Sequence, residues 1–324
     1  MDKIKWGIIG CGDVTEVKSG PAFNKVPNSS LVAVMRRNEE NVKDYAHRHN
    51  VPRWYTSADD LIHDPEVNAI YIATPPSSHE EYAIAAMKAG KPVYVEKPMT
   101  MNAASAKRMV AAAGQYGVKL TVAHYRRAQP LFKKIKQLID DKIIGNILFV
   151  RIEDYKKPVS KEYLQEEHTA WRLDPAVAGG GLFNDLSPHQ LDILYYLFGD
   201  AEKVSGIAAN QLGITKADDI VTGHILFKNK IVFTGIWCFN APEDKEFCEI
   251  VGEKGSIRFS FFTHLPVIIT VNGKEEIFSF ETLQHVQQPM IAEVVQYFLG
   301  INSNPVSGEE GVIVMNWIDK FTGK

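Results

Sequence analysis

Ile4-Lys5-Trp6-Gly7-Ile8-Ile9-Gly10-Cys11-Gly12-Asp13-Val14-Thr15 is the stretch that decides the fold. Ile4 to Ile9 has the pattern of a short buried strand and runs straight into Gly-x-Gly. The first glycine permits a tight turn, and the second lets backbone N–H groups approach a pyrophosphate. A helix starting there adds its positive end. Thr15 stands where a third glycine or alanine is usual, and it is small enough for helix–strand packing. A lone glycine turn is a weak signal, so its flanks matter. Leu31 to Met35 reads as a second strand at the spacing such a turn requires, and it ends in Arg36-Arg37-Asn38 with no acid before Glu39. A carboxylate at that strand end would accept from a ribose 2′-hydroxyl, whereas two guanidiniums suit a 2′-phosphate. The expectation is NADP(H), with NAD(H) as the alternative, on Gly10, Cys11, Gly12, Asp13, Val14, Arg36 and Arg37.

Outward from this turn, strand and helix patterns alternate. Helices are predicted over Asn41–His49, from Ser57, over His79–Ala89 and over Ala103–Tyr116, the last stopped by Gly117. Strands are predicted at Val67–Ala73, Pro92–Val95 and Val118–Ala123. This alternation gives an α/β class with a doubly wound parallel sheet, whose ligands sit at the carboxyl ends of the strands. Thr74, Glu96, Lys97 and His124 fall at such ends. Lys97 precedes Pro98, which confines it to extended geometry. Its ammonium there could orient a substrate hydroxyl and stabilise a developing alkoxide.

After an amphipathic helix at Leu131–Asp140 the regime changes. Strand patterns follow one another from Ile147, then between Lys203 and Phe280, with Asn229-Lys230 and Asn272-Gly273 as hairpin turns. A large, open, mostly antiparallel sheet with few covering helices exposes one face. Such faces pair with copies of themselves, which predicts a homodimer or homotetramer through roughly 203–280. The domain division reads as 1–124 and 125–324, with the last helices, Pro289–Leu299 and Glu309–Phe321, packing back on the sheet or on the first domain.

Gly179-Gly180-Gly181 leads into Leu182–Phe198, an apolar run holding Asp185, His189 and Asp192. Ser187-Pro188-His189-Gln190 reads as a helix start, with Ser187 as cap and Pro188 in the first turn. Asp185 and His189 share a face if the chain is already helical at Asp185. A carboxylate beside an imidazole suits proton transfer near neutral pH.

Composition narrows the function. The 324 residues are 45% hydrophobic and 23% charged with a net charge of −3, which gives no reason to expect nucleic acid or an anionic membrane. Three cysteines without Cys-x-x-Cys point to no disulfide scaffold and no metal, and the N-terminus lacks the shape of a signal peptide. A cytoplasmic protein is the expectation.

The order of Gly10-x-Gly12, Thr74-Pro75-Pro76 with His79, Glu96-Lys97-Pro98, and Gly179-Gly180-Gly181 with Asp185 and His189 resembles the glucose–fructose oxidoreductase, inositol dehydrogenase and rhizopine-catabolism (Gfo/Idh/MocA) family. The resemblance implies an N-terminal Rossmann domain, a C-terminal α/β domain with an open sheet, and NAD(P)-dependent oxidation or reduction of sugars, cyclitols and related compounds. It implies Lys97, Asp185 and His189 as the catalytic group. Thr74, Pro75, Pro76, His79, Glu96, Lys97, Trp171 and Arg172 join the cofactor contacts. Tyr125, Arg126, Arg127, Tyr155, Lys156 and His168 are candidate substrate contacts. Some relatives use nicotinamide transiently to cleave a glycosidic bond, and others sense a ligand, so these stand as the alternative functions.

Overall fold

A computed structural model describes residues 2–263 and 265–324, without the side chains of Glu167 and His168. The expected substrate contact His168 therefore lies outside the described residues. By its contacts the chain divides into two compact units, Met1–Ala128 with Leu283–Met315 and Gln129–Thr282 with Asn316–Lys324. The sequence expectation had cut the chain once, after residue 124.

The first unit is built on β1 (Ile4–Ile9), β2 (Ser29–Met35), β3 (Arg53–Tyr55), β4 (Ala69–Ile72), β5 (Val93–Val95) and β6 (Leu120–Val122). Among the described residues they form a six-stranded sheet in the order β3-β2-β1-β4-β5-β6, parallel at every pairing. Every residue of β4 and β5 is buried, as a sheet covered on both faces requires. The connecting helices start and stop on local signals. Asn38, Ser57 and Asn102 each accept a backbone N–H at a helix start, and Gly117 closes Ala103–Tyr116 in the left-handed region. Leu283–Met315 belongs here because β6 would otherwise be a bare edge. Val122 N–H donates to Val306 O (3.2 Å), the Asn304 amide donates to Leu120 O (2.8 Å), and the Phe298 ring packs on Trp6.

The second unit is built on β7 (Ile147–Tyr155), β8 (Ala201–Ala209), β9 (Ile220–Phe227), β10 (Val232–Cys238), β11 (Lys245–Gly252), β12 (Gly255–Phe259), β13 (Val267–Val271) and β14 (Lys274–Phe278). Among the described residues the sheet order is β14-β13-β12-β11-β7-β10-β9-β8, antiparallel except where β10 lies parallel to β7. The expected turns join β9 to β10 and β13 to β14, with Lys230, Asn272 and Gly273 at positive φ. Gly206, Gly223 and Gly235 are direct neighbours across β8, β9 and β10. Together they make a trough in which the Phe321 ring lies against Gly223 and the Trp237 ring against Gly235.

One local expectation is overturned. The helix does not start at Ser187; it runs from Leu182 to Phe198 with Gly181 as its cap, and Pro188 lies inside it. The missing proline N–H leaves the helix intact because its first turn is already anchored: Phe183 is buried edge-on against Trp237, with ring centroids 5.0 Å apart. Asp185 is therefore helical, and it shares a face with His189. No helix among the described residues is long and apolar enough to cross a membrane.

Candidate active site

In the first unit the parallel strands deliver their loops to one edge. Gly10 has φ +91°, and its N–H and that of Cys11 both donate to Met35 O. A Cβ at Gly10 would meet the Thr74 backbone N at 2.8 Å, so only glycine fits. Gly12 differs. A Cβ there would meet nothing nearer than Gly10 O at 4.0 Å, and Gly12 caps Asp13–Glu16 with no side-chain bond. An open face beside an uncapped helix start fits a dinucleotide pyrophosphate. Thr15 completes the turn in place of a third glycine: it is buried, and both its N–H and its hydroxyl donate to Gly12 O, at 2.9 and 2.8 Å. Burial pushes the Cys11 thiol up to about 12, which leaves it inert as a nucleophile.

Arg36 is half-buried at the end of β2 and Arg37 is exposed; neither has an ion-pair partner among the described residues. The charge of Arg36 is felt at the Cys11 thiol, beside the glycine turn. Glu39, the first acid after the strand, is paired with Lys43 at 2.6 Å.

At the end of β4, the Thr74 hydroxyl accepts from Ser78 (2.8 Å). Pro75 and Pro76 open the following turn. His79 is fully buried, with Nε2 2.7 Å from Thr74 O and Nδ1 3.1 Å from Pro98 O. It braces the loops after β4 and β5 from behind, and burial holds its pKa below the ordinary value. Glu96 is also buried. Lys97 follows it, half-buried, in a cis peptide with Pro98. After β6, His124 and Tyr125 are buried, the Arg126 guanidinium lies 5.6 Å from the Tyr125 ring, and Arg127 is paired with Glu310 at 2.7 Å.

In the second unit the three glycines before the helix each have a separate reason. Gly179 ends a short helix at φ +82°, Gly180 lies against the Asn184 side chain, and Gly181 lies against Ala217. The helix Leu182–Phe198 then presents Asp185 and, one turn on, His189. The Asp185 side chain is 26% exposed and faces Arg172 Nε at 3.7 Å, while His189 is buried. The Arg172 guanidinium also lies over the Trp171 ring at 4.7 Å, so Trp171, Arg172 and Asp185 form one cluster. Phe262 meets the His189 ring edge to face, with centroids 5.9 Å apart.

Sequence reasoning missed the groups that support this helix. Asp154, wholly buried on β7, accepts from Gln190 Nε2 at 3.0 Å, and Gln190 Oε1 accepts from the Trp237 indole at 2.6 Å. Burial pushes the Asp154 carboxyl up to about 6, against the pull of the Lys156 ammonium 3.5 Å away. Glu246 accepts from the N–H groups of Phe261 (2.8 Å) and Phe262 (3.2 Å), which seats the loop whose ring meets His189. An acid at an inward position of an alternating strand was the available signal for both. Tyr155, expected at the substrate, follows Asp154 on the strand and so points to the opposite face, where Lys245 lies over its ring at 5.4 Å. The structure does not bring it to Asp185 and His189.

Comparison with known proteins follows the same division. Residues 4–124 match the model of an oxidoreductase family with an NAD-binding Rossmann fold, and residues 132–258 match that of the GFO/IDH/MocA C-terminal domain. The chain is 48% identical over 321 residues to oxidoreductase P35 of Formosa agariphila, covering 99% of both proteins. It is 28% identical over 290 residues to trans-1,2-dihydrobenzene-1,2-diol dehydrogenase of Xenopus laevis, covering 88% of this chain and 83% of that one. The fold is similar to that of a levoglucosan dehydrogenase solved with NADH and levoglucosan, with a TM-score of 0.85 at 23% identity over 98% of this chain and 96% of that one. The chain belongs to the Gfo/Idh/MocA family and is an NAD(P)-dependent oxidoreductase.

The two glycines of the turn make a paired prediction. Gly12→Ala keeps the wild-type melting temperature but weakens dinucleotide binding by about tenfold or more, measured by quenching of tryptophan fluorescence. Gly10→Ala instead lowers the melting temperature. Unchanged dinucleotide affinity in Gly12→Ala would remove the glycine turn from the cofactor site.

Proposed function

We propose that the enzyme transfers a hydride between a nicotinamide and a carbinol or carbonyl carbon of a polyhydroxylated compound such as a sugar or cyclitol. The observation that carries this reading is the Asp185–His189 pair, a buried imidazole one helical turn from a partly exposed carboxylate. The similarity to a trans-1,2-dihydrobenzene-1,2-diol dehydrogenase and to a levoglucosan dehydrogenase supports the substrate class.

Bound nicotinamide supplies or accepts the hydride. His189 exchanges the hydroxyl proton, a task to which an imidazole is suited. Asp185 orients the imidazole and binds a neighbouring hydroxyl, with Arg172 Nε 3.7 Å from the carboxylate. Lys97 hydrogen-bonds the reacting oxygen and stabilises the negative charge that grows there. Tyr125 and Arg126 contact the substrate, and Trp171 with Arg172 contacts the nicotinamide half of the cofactor. At the other end of the dinucleotide, Arg36 and Arg37 clamp a 2′-phosphate, because neither guanidinium is neutralised by the protein.

We also propose a homodimer or dimer of dimers through the second sheet. Its outer face mixes apolar residues with fixed charges: Phe149, Ile207 and Val232 are 40%, 74% and 48% exposed. Arg151 and Arg258 both hold Glu249, and Lys245 holds Glu153. An exposed apolar face with pre-ordered polar groups suits self-association.

Three measurements test these readings. Lys97→Ala and His189→Ala each lower kcat by about a hundredfold or more on the substrate found by screening polyols, aldoses and keto-sugars; wild-type turnover in both overturns the catalytic assignment. NADPH binds more tightly than NADH in fluorescence titration, and Arg36→Asp shifts the preference towards NADH; equal affinities in the wild type overturn the choice. Light scattering gives a mass at least twice the 36.3 kDa of the chain; a monomer at working concentration contradicts the proposed assembly.

A further inference from the structure

We propose that Tyr71 and Gln287 are positioning residues for Lys97, acting through the buried carboxylate of Glu96. This rests on the reading of Lys97 as the group that meets the reacting oxygen. Glu96 is the residue before Lys97, at the end of β5, and is 5% exposed. Its Oε1 accepts from the Tyr71 hydroxyl (2.5 Å) and from Gln287 Nε2 (2.6 Å). Its Oε2 accepts from the Lys97 backbone N–H (3.1 Å). The resemblance to the family placed Glu96 against the cofactor; the geometry gives its carboxylate a different duty.

Both donors are themselves fixed. Tyr71 is fully buried on β4, its ring stacked on Tyr94 with centroids 5.2 Å apart. Burial and the charge of Glu96 push its ionisation well above the ordinary value, so it remains a donor. Its single proton goes to the carboxylate, the stronger acceptor, while the Ser19 hydroxyl lies 3.2 Å away. Gln287 is fully buried too, and its backbone N–H donates to Lys18 O (3.2 Å). Two residues earlier, His285 has Nδ1 2.6 Å from Val17 O and Nε2 2.6 Å from the Lys25 ammonium. The segment 285–287 is therefore stapled to the 17–25 segment that follows the glycine turn, and it brings its amide to Glu96 across 191 residues of sequence.

The consequence is geometric. With Oε1 held by two donors on rigid supports, Oε2 has one direction left, and the N–H of Lys97 lies along it. Removing a donor leaves a buried carboxylate under-satisfied, which is costly enough to turn it. The main chain of Lys97 then loses its anchor, and the ammonium leaves its place at the sheet edge.

The test needs no substrate. The full chain is reductively methylated with ¹³C-formaldehyde, and the Lys97 methyl signal is identified by its absence from Lys97→Arg. Tyr71→Phe, which deletes one oxygen, and Gln287→Leu both displace that signal, with and without NADPH, while NADPH affinity stays within about twofold. Gln287→Glu, which sets a second carboxylate against Glu96, displaces it further. If Tyr71→Phe lowers the melting temperature but leaves the Lys97 signal unmoved, the Glu96 cluster is a structural staple only and the proposal fails. Failure of the catalytic reading is separate: it would appear as wild-type turnover by Lys97→Ala, with the Lys97 signal still responding to Tyr71 and Gln287.

Discussion

Parallel pairing is the constraint on which the first unit depends. Because β3-β2-β1-β4-β5-β6 all run the same way, every strand ends at the same edge of the sheet. Gly10, Arg36, Thr74, Lys97 and His124 are far apart in sequence, yet each is the residue, or nearly so, at which a strand stops. β4 and β5 are buried throughout, which leaves little room for charged groups within the sheet. Chemistry is confined to the edge, and the edge must be stiffened by buried polar residues. His79 does this between the loops after β4 and β5, and Glu96 does it beneath Lys97.

The second unit meets the same need differently. An open antiparallel sheet has no common strand edge, so its ionisable pair is carried on a helix laid over one face. Asp154 reaches from the sheet to Gln190, next to His189, and Gln190 reaches on to Trp237. This buried run of carboxylate, amide and indole ties the helix to β7 and β10 through two hydrogen bonds. Glu246 holds the loop bearing Phe262 by two backbone N–H groups. Helix and loop are each fixed from below by an acid that apolar patterning alone would not have placed there.

Much of this is legible in the sequence. The glycine turn, the alternation to β6 and the Asn-containing hairpins all obey short-range rules, so the two sheets and their classes could be read residue by residue. The helix Ala103–Tyr116 was legible to the residue because Gly117 is a local stop. The start of Leu182–Phe198 was misread because Pro188 in a first turn is also a local signal; burial of Phe183 against Trp237, a tertiary contact, overrode it. Tyr155 and Asp154 are neighbours on one strand yet point to opposite faces, a difference that composition alone does not show. Gln287 could not be found at all. Its partner lies 191 residues away, and nothing in the local pattern of an isolated glutamine points to a buried carboxylate.

Lys97, Asp185 and His189 are proposed to serve a hydride transfer to carbon. The most direct measurement uses NADPH carrying deuterium at both C4 positions with the carbonyl compound that the substrate screen returns. One deuterium is expected per molecule of product, on the carbon that bears the new hydroxyl, with one NADPH oxidised for each. Product that forms without deuterium, with the nucleotide unchanged after turnover, would contradict it.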